Sequence, residues 1–125
     1  MDIKKYITTL GFLPKNGTSG IYHKVYSYHD NYVISIDFNT EHIEYGDKII
    51  AESRTTQNFS QPENFVVLEC VDRLLTKGYK PQNIVLEKTW PSGHGTSGRL
   101  DVCINREDGT PYMLIELSLI HISEP

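Results

Sequence analysis

The stretch from Glu63 to Gly78 constrains this chain more than any other. Val67, Val71, Leu74 and Leu75 fall at i, i+4, i+7 and i+8, one apolar stripe at the helical period. Lys77 gives a basic last turn and Gly78 a stop. Such a stripe has to be buried, and the segments that follow read as strands, so the expected partner is a sheet. Beyond Tyr79-Lys80-Pro81 the strand candidates are Ile84–Trp90, Arg99–Asn105 and Tyr112–Glu116. Arg106-Glu107-Asp108-Gly109 joins the last two as a hairpin.

Ahead of that helix, Ile3, Tyr6, Ile7 and Leu10 keep helical spacing until Gly11. Ile21–Tyr28, Tyr32–Phe38 and Glu41–Tyr45 are rich in Tyr, Val and Ile and are separated by short polar breaks. Ile34, Ile36 and Phe38 alternate with Ser35 and Asp37, which gives one dry and one wet face. The expectation is an antiparallel meander packed on the first helix, then a polar connection over residues 54–60. The order of helix, meander, helix and three strands makes an α+β chain. A division near residue 55 is expected, with residues 1–54 forming one subdomain and 55–116 the next.

With 125 residues, 38% hydrophobic and 22% charged, the chain has one domain's worth of ordinary globular composition. It holds no apolar run long enough to span a bilayer, and no apolar segment of signal-peptide type follows Lys4 and Lys5. Cys70 and Cys103 lie in apolar segments and read as buried thiols of a reducing cytosol. The net charge of −4 argues against a free-standing nucleic-acid clamp. From Arg73 to Arg106, however, six Lys and Arg face only Glu87 and Asp101. That local excess is either a solvated face or the mark of an anionic partner.

Residues 93–98 spell a G-x-G-x-x-G. In dinucleotide-binding proteins those glycines lead from a strand into a helix whose N-terminus meets the pyrophosphate. Here a strand follows instead, so the segment reads as a loop and His94 as a loop residue without a partner at ligand spacing. The acids are more informative. Asp101 interrupts the apolar run Leu100–Ile104, and Glu116 closes Tyr112–Ile115. A tight hairpin between them makes the two carboxylates neighbours across paired strands. Two carboxylates that close raise each other's pKa, a conflict that a divalent cation such as Mg²⁺ removes. The plain alternative is a pair of strand-edge acids in water. Glu63 opens the long helix, where Ser60-x-x-Glu63 also matches a capping box, and Glu69 can pair with Arg73 at i+4.

The order Gln61-Pro62-Glu63, helix, Lys77-Gly78-Tyr79, strand with Glu87, Gly98-Arg99-Leu100-Asp101-Val102 and Tyr112-Met113-Leu114-Ile115-Glu116 resembles a known family. It is similar to the restriction-endonuclease-like, PD-(D/E)XK-type domain near the N-terminus of restriction-modification proteins. Those include type I restriction enzyme R subunits and proteins with an N6-adenine DNA methylase. The resemblance covers about residues 55–116 and is weaker over the meander. It implies a helix-and-sheet nuclease core, incomplete here, in a cytoplasmic protein. It further implies Mg²⁺ held by Glu63, Asp101 and Glu116, DNA as partner together with other restriction-modification subunits or domains, and hydrolysis of DNA phosphodiesters.

The family's E-x-K step would place a lysine at position 118, where this chain has Ser118. All of Leu117–Pro125, moreover, resembles the translation of a transposon-end adapter used in sequencing libraries. The expectation is therefore a nuclease-like domain cut short at Glu116 and followed by an artefactual tail, inactive as it stands. The alternative is a non-catalytic DNA-docking or interaction module on an N6-adenine methyltransferase or specificity subunit.

Overall fold

The computed structural model describes residues 2–52, 54–91 and 97–116, with side-chain detail for all of these except 54, 55, 88–91 and 97–101. The chain is α+β, as its pattern requires. Helix α1 (Ile3–Thr9) opens at Asp2, whose carboxylate accepts the Lys5 N–H at 3.2 Å. It ends before Gly11, whose φ of 101° suits a residue without a Cβ. Its inward anchor is Ile7, fully buried.

The meander follows as β1 (Leu13–Pro14), β2 (Ile21–Tyr26), β3 (Tyr32–Asp37) and β4 (His42–Glu44), antiparallel and in that spatial order. In β3 the alternation holds: Tyr32, Ile34 and Ile36 are buried, while Val33, Ser35 and Asp37 are not. The turn into β3 uses Asp30 and Asn31 at φ 54° and 58°, a conformation that these short polar side chains tolerate best. β1 has only two residues, too few to show a period in sequence.

The path out of this sheet is fixed by one phenol. The Tyr32 hydroxyl donates to the Tyr45 carbonyl and accepts from the N–H groups of Lys48 and Ile49, at 3.1 and 3.0 Å. Gly46 lets the ring approach, since a Cβ there would meet the Tyr32 oxygen at 2.6 Å. The chain then enters β5 (Ile50–Ala51), which pairs in parallel with β6 (Ile84–Pro91). The second sheet has the order β5-β6-β7-β8, with β7 (Ser97–Asn105) and β8 (Pro111–Ile115) antiparallel to their neighbours. The expected boundary near residue 55 thus falls inside a shared structure: β5 belongs to the second sheet, and one buried cluster runs from Ile7 to Ile104.

Helix α2 (Glu63–Thr76) lies between the two sheets. Its buried positions extend well beyond the expected stripe to Phe65, Leu68 and Asp72. On one side Asp72 accepts from Lys24 Nζ and Tyr26 Oη of β2. On the other, Val66, Cys70 and Leu74 share a groove with Met113 and Ile115 of β8. The expected capping box does not form. Pro62 occupies the N-cap position without a side-chain cap, and Ser60 gives its N–H and hydroxyl to Asn58 Oδ1. That local Asx turn satisfies Ser60 two residues before the helix begins, which leaves Glu63 uncommitted to capping. The C-terminus closes as the glycine predicts. Tyr79 N–H bonds the Leu74 carbonyl at 3.0 Å and Gly78 N–H that of Leu75 at 3.1 Å, with Gly78 at φ 105°.

Leu75 is fully buried and Leu114 is 55% exposed. Leu75→Ala is expected to lower the unfolding free energy by about 2–5 kcal/mol. Leu114→Ala is expected to cost under about 1 kcal/mol, and urea titration of both variants checks the contrast.

Candidate functional site

The β7–β8 ladder sets the geometry of the two strand acids. It pairs Ile104 with Met113, Cys103 with Leu114 and Val102 with Ile115. One step further along the same register stand Asp101 and Glu116, where β8 ends. The hairpin that creates this register is held by Arg106 N–H to the Thr110 carbonyl at 2.7 Å and Gly109 N–H to the Arg106 carbonyl at 2.9 Å. The Glu116 side chain is exposed.

β6 adds a carboxylate to the same row. Leu86 pairs with Val102 and Lys88 with Leu100, so Glu87 occupies the position opposite Asp101. Glu87, Asp101 and Glu116 therefore mark one line across three adjacent strands. Glu87 is only 4% exposed and has φ 52°, the left-handed region, in the middle of an eight-residue strand. For a residue with a Cβ that conformation costs about 1–2 kcal/mol. Strain of this kind concentrates at functional sites, where it re-aims a side chain. The Glu87 charge is felt at Tyr45, a fully buried phenol. Burial first, then Cys70 and Glu87, push the Tyr45 hydroxyl above its usual pKa.

Glu63 sits exposed in the first turn of α2. Two features anchor that turn. Asn64 Nδ2 donates to the Asn58 carbonyl at 2.8 Å. A relay of edge-to-face rings runs Tyr22–Phe38–Phe59–Phe65, with centroids 5.5, 5.4 and 5.1 Å apart. At the other end of the helix, Lys80 bonds Glu107 of the β7–β8 hairpin at 3.1 Å. The C-terminal end of α2 is therefore tied to the β7–β8 hairpin.

Among the described side chains, which do not include that of Asp101, no three His, Cys, Asp or Glu groups form a metal-holding set. Gly93, His94 and Gly95 of the glycine loop lie outside the described residues, as do Ser118 and all of Leu117–Pro125. β7 begins at Ser97, so the last of the glycines, Gly98, already lies in a strand and no helix follows. Comparison of the chain with protein-family models, curated proteins and solved structures finds no match.

Glu87 is the residue that the acid pattern alone did not single out. Its signal was available in Ile84-Val85-Leu86-Glu87, a lone acid ending an apolar run just as Glu116 does. Glu69 takes the structural part expected for it. It pairs with Arg73 at 2.6 Å and also accepts the Tyr6 hydroxyl of α1, a partner 63 residues away that helical spacing could not reveal. The Tyr6 hydrogen bond is the main reason that the Glu69 pKa is lowered, and Arg73 adds to it.

A carboxyl whose folded pKa is depressed contributes stability above its unfolded pKa and loses it as pH falls through the folded value. Tyr6→Phe is therefore expected to destabilise the protein at neutral pH by about 1–3 kcal/mol. The gap from the parent should narrow as pH falls below the ordinary Glu value of 4.5. Urea unfolding at neutral pH and in that acidic range measures both.

Proposed function

We propose that this chain is a nuclease-like domain of a bacterial restriction-modification protein, built for Mg²⁺-dependent hydrolysis of DNA phosphodiesters in the cytoplasm. The observation that supports this reading is the β7–β8 register, whose last pair, Val102 with Ile115, stands one residue before Asp101 and Glu116. Mg²⁺ binds through one or two carboxylates and keeps waters and substrate phosphate for its other positions. Asp101 and Glu116 would hold the ion, with Glu63 reaching it from the first turn of α2. When bound, the ion supplies Lewis-acid polarisation of the phosphodiester and a water-derived nucleophile.

One residue favours a second reading. Ser118 stands where the family motif has a lysine, so a positive charge for the attacked phosphate is missing. On that ground the domain would serve as a non-catalytic DNA-docking module on a methyltransferase or specificity subunit.

Ser118→Lys tests the first reading. The substituted chain is expected to nick supercoiled plasmid DNA with Mg²⁺ and not with EDTA, while the parent does not. Adding Asp101→Asn, which removes one charge at nearly constant volume, is expected to abolish nicking with the fold intact by circular dichroism. Nicking that survives Asp101→Asn sinks the nuclease mechanism, and the natural codons after Glu116 separate the two readings, E-x-K favouring the nuclease and E-x-S the docking module.

A further inference from the structure

The side of α2 opposite Asp72 carries a stripe of its own. Val66, Cys70, Leu74 and Lys77 fall at i, i+4, i+8 and i+11, which spans about 16 Å of helix. Across from them Met113 and Ile115, two residues apart, belong to one face of β8. These side chains line a groove of about 440 Å³. That volume falls within the range of about 300–1,000 Å³ usual for small-molecule sites. A stable protein partner would need roughly 800 Å² from this side, far more than one helix stripe and two strand residues offer.

The walls are apolar and soft. Cys70 and Met113 set two polarisable sulfurs among Val66, Leu74 and Ile115, a lining that adapts to a flexible chain. The charges on the lining do not cancel. Arg73 is neutralised by Glu69 at 2.6 Å. Lys77 is exposed and forms no ion pair among the described residues, so the lining keeps one uncompensated positive charge in a chain of net charge −4. A lysine of this kind lends its alkyl stem to an apolar wall while its ammonium stays in water. An anion beside it would not meet bare helix-end carbonyls. Those of Arg73, Leu74 and Leu75 already accept the N–H groups of Lys77, Tyr79 and Gly78, at 3.0, 3.0 and 3.1 Å. That lessens the repulsion a helix C-terminus normally offers to negative charge. We propose that the α2–β8 groove is a binding site for an amphiphilic monocarboxylate. Its unbranched alkyl chain lies along Val66, Cys70 and Leu74, and its carboxylate meets Lys77. This goes beyond the nuclease reading and stands whether or not the domain cuts DNA.

The test titrates sodium decanoate, below its micellar range, into the whole chain by isothermal calorimetry. In parallel, mass spectrometry follows alkylation of Cys70 by N-ethylmaleimide. Cys70 is half-buried in the groove and Cys103 is fully buried, so the two thiols report separately on groove and core. Saturable binding is expected, with protection of Cys70 over the same concentration range. Lys77→Glu should weaken binding about 5-fold, the upper range for one exposed ion pair. Val66→Phe, which fills the groove, should abolish binding with helix content unchanged by circular dichroism. Lys77 is exposed, so Lys77→Glu decides the matter even where Val66→Phe does not fold. Decyltrimethylammonium, the same chain length with a cationic head, should bind more weakly than decanoate. Four outcomes overturn the proposal: no decanoate binding, binding without protection of Cys70, unchanged affinity in Lys77→Glu, or equal affinity for decyltrimethylammonium. A Cys70 that is inert without ligand overturns it as well, since the groove is then closed. Protection of Cys70 that rises with protein concentration alone gives the groove to a second copy of the chain and also overturns it.

Discussion

The Asp72 carboxylate is the contact on which the arrangement of layers depends. It accepts Lys24 Nζ at 2.6 Å and Tyr26 Oη at 2.7 Å, both from β2, while its backbone belongs to α2. Lys24 also donates to the Leu10 carbonyl at 2.7 Å, so the C-terminal end of α1 joins the same knot. Burial and the bond to Asp72 drive the Tyr26 hydroxyl well above its usual pKa, which keeps it a donor throughout the accessible pH range. Leaving such a buried charge without its partner costs about 3–5 kcal/mol, a large share of a small domain's stability. Apolar packing alone would permit α2 to rotate or slide between two greasy sheets. The Asp72 bonds fix its rotation, and with that fixed, Val66, Cys70 and Leu74 line a groove together with Met113 and Ile115 on the far side.

Elements with enough length to express a period were visible in the sequence, and those that depend on distant partners were not. α2 and its glycine stop, β2, β3 and the β7–β8 hairpin all follow from spacing and turn residues. β1 and β5, at two residues each, exist because a neighbouring strand supplies their hydrogen bonds. The width of the buried face of α2 was underestimated for a related reason. Asp72 looks like a solvent residue in sequence, and only the Tyr26 and Lys24 side chains make its burial tolerable.

The candidate site divides along the same line. Asp101 and Glu116 could be paired by counting residues back from a tight turn, because a hairpin converts sequence distance directly into register. Glu63 could be placed at a helix start, but where that start lies relative to the strands depends on how the helix crosses the sheet. Glu87 needed the register of β6 on β7 and its unusual backbone angle, and neither is written in local composition. The cationic excess after Arg73 was plain in sequence, yet its distribution was not. Arg73 and Lys80 are spent on Glu69 and Glu107.

The parallel pairing of β5 with β6 shapes how the molecule comes together. Ile50 meets Val85 across an intervening stretch that contains all of α2, a strand–helix–strand crossover. The hairpin of β7 and β8 and the meander of β2 and β3 close over short loops and can form early. β5 must wait for both α2 and β6, since each of its hydrogen bonds joins residues more than thirty positions apart. During synthesis the edge of β6 near Val85 and Leu86 stays open until that late step, even though residues 50 and 51 emerge long before it. Residues 50 and 51 therefore act as a clasp: they are made before α2 and β6 and paired after them.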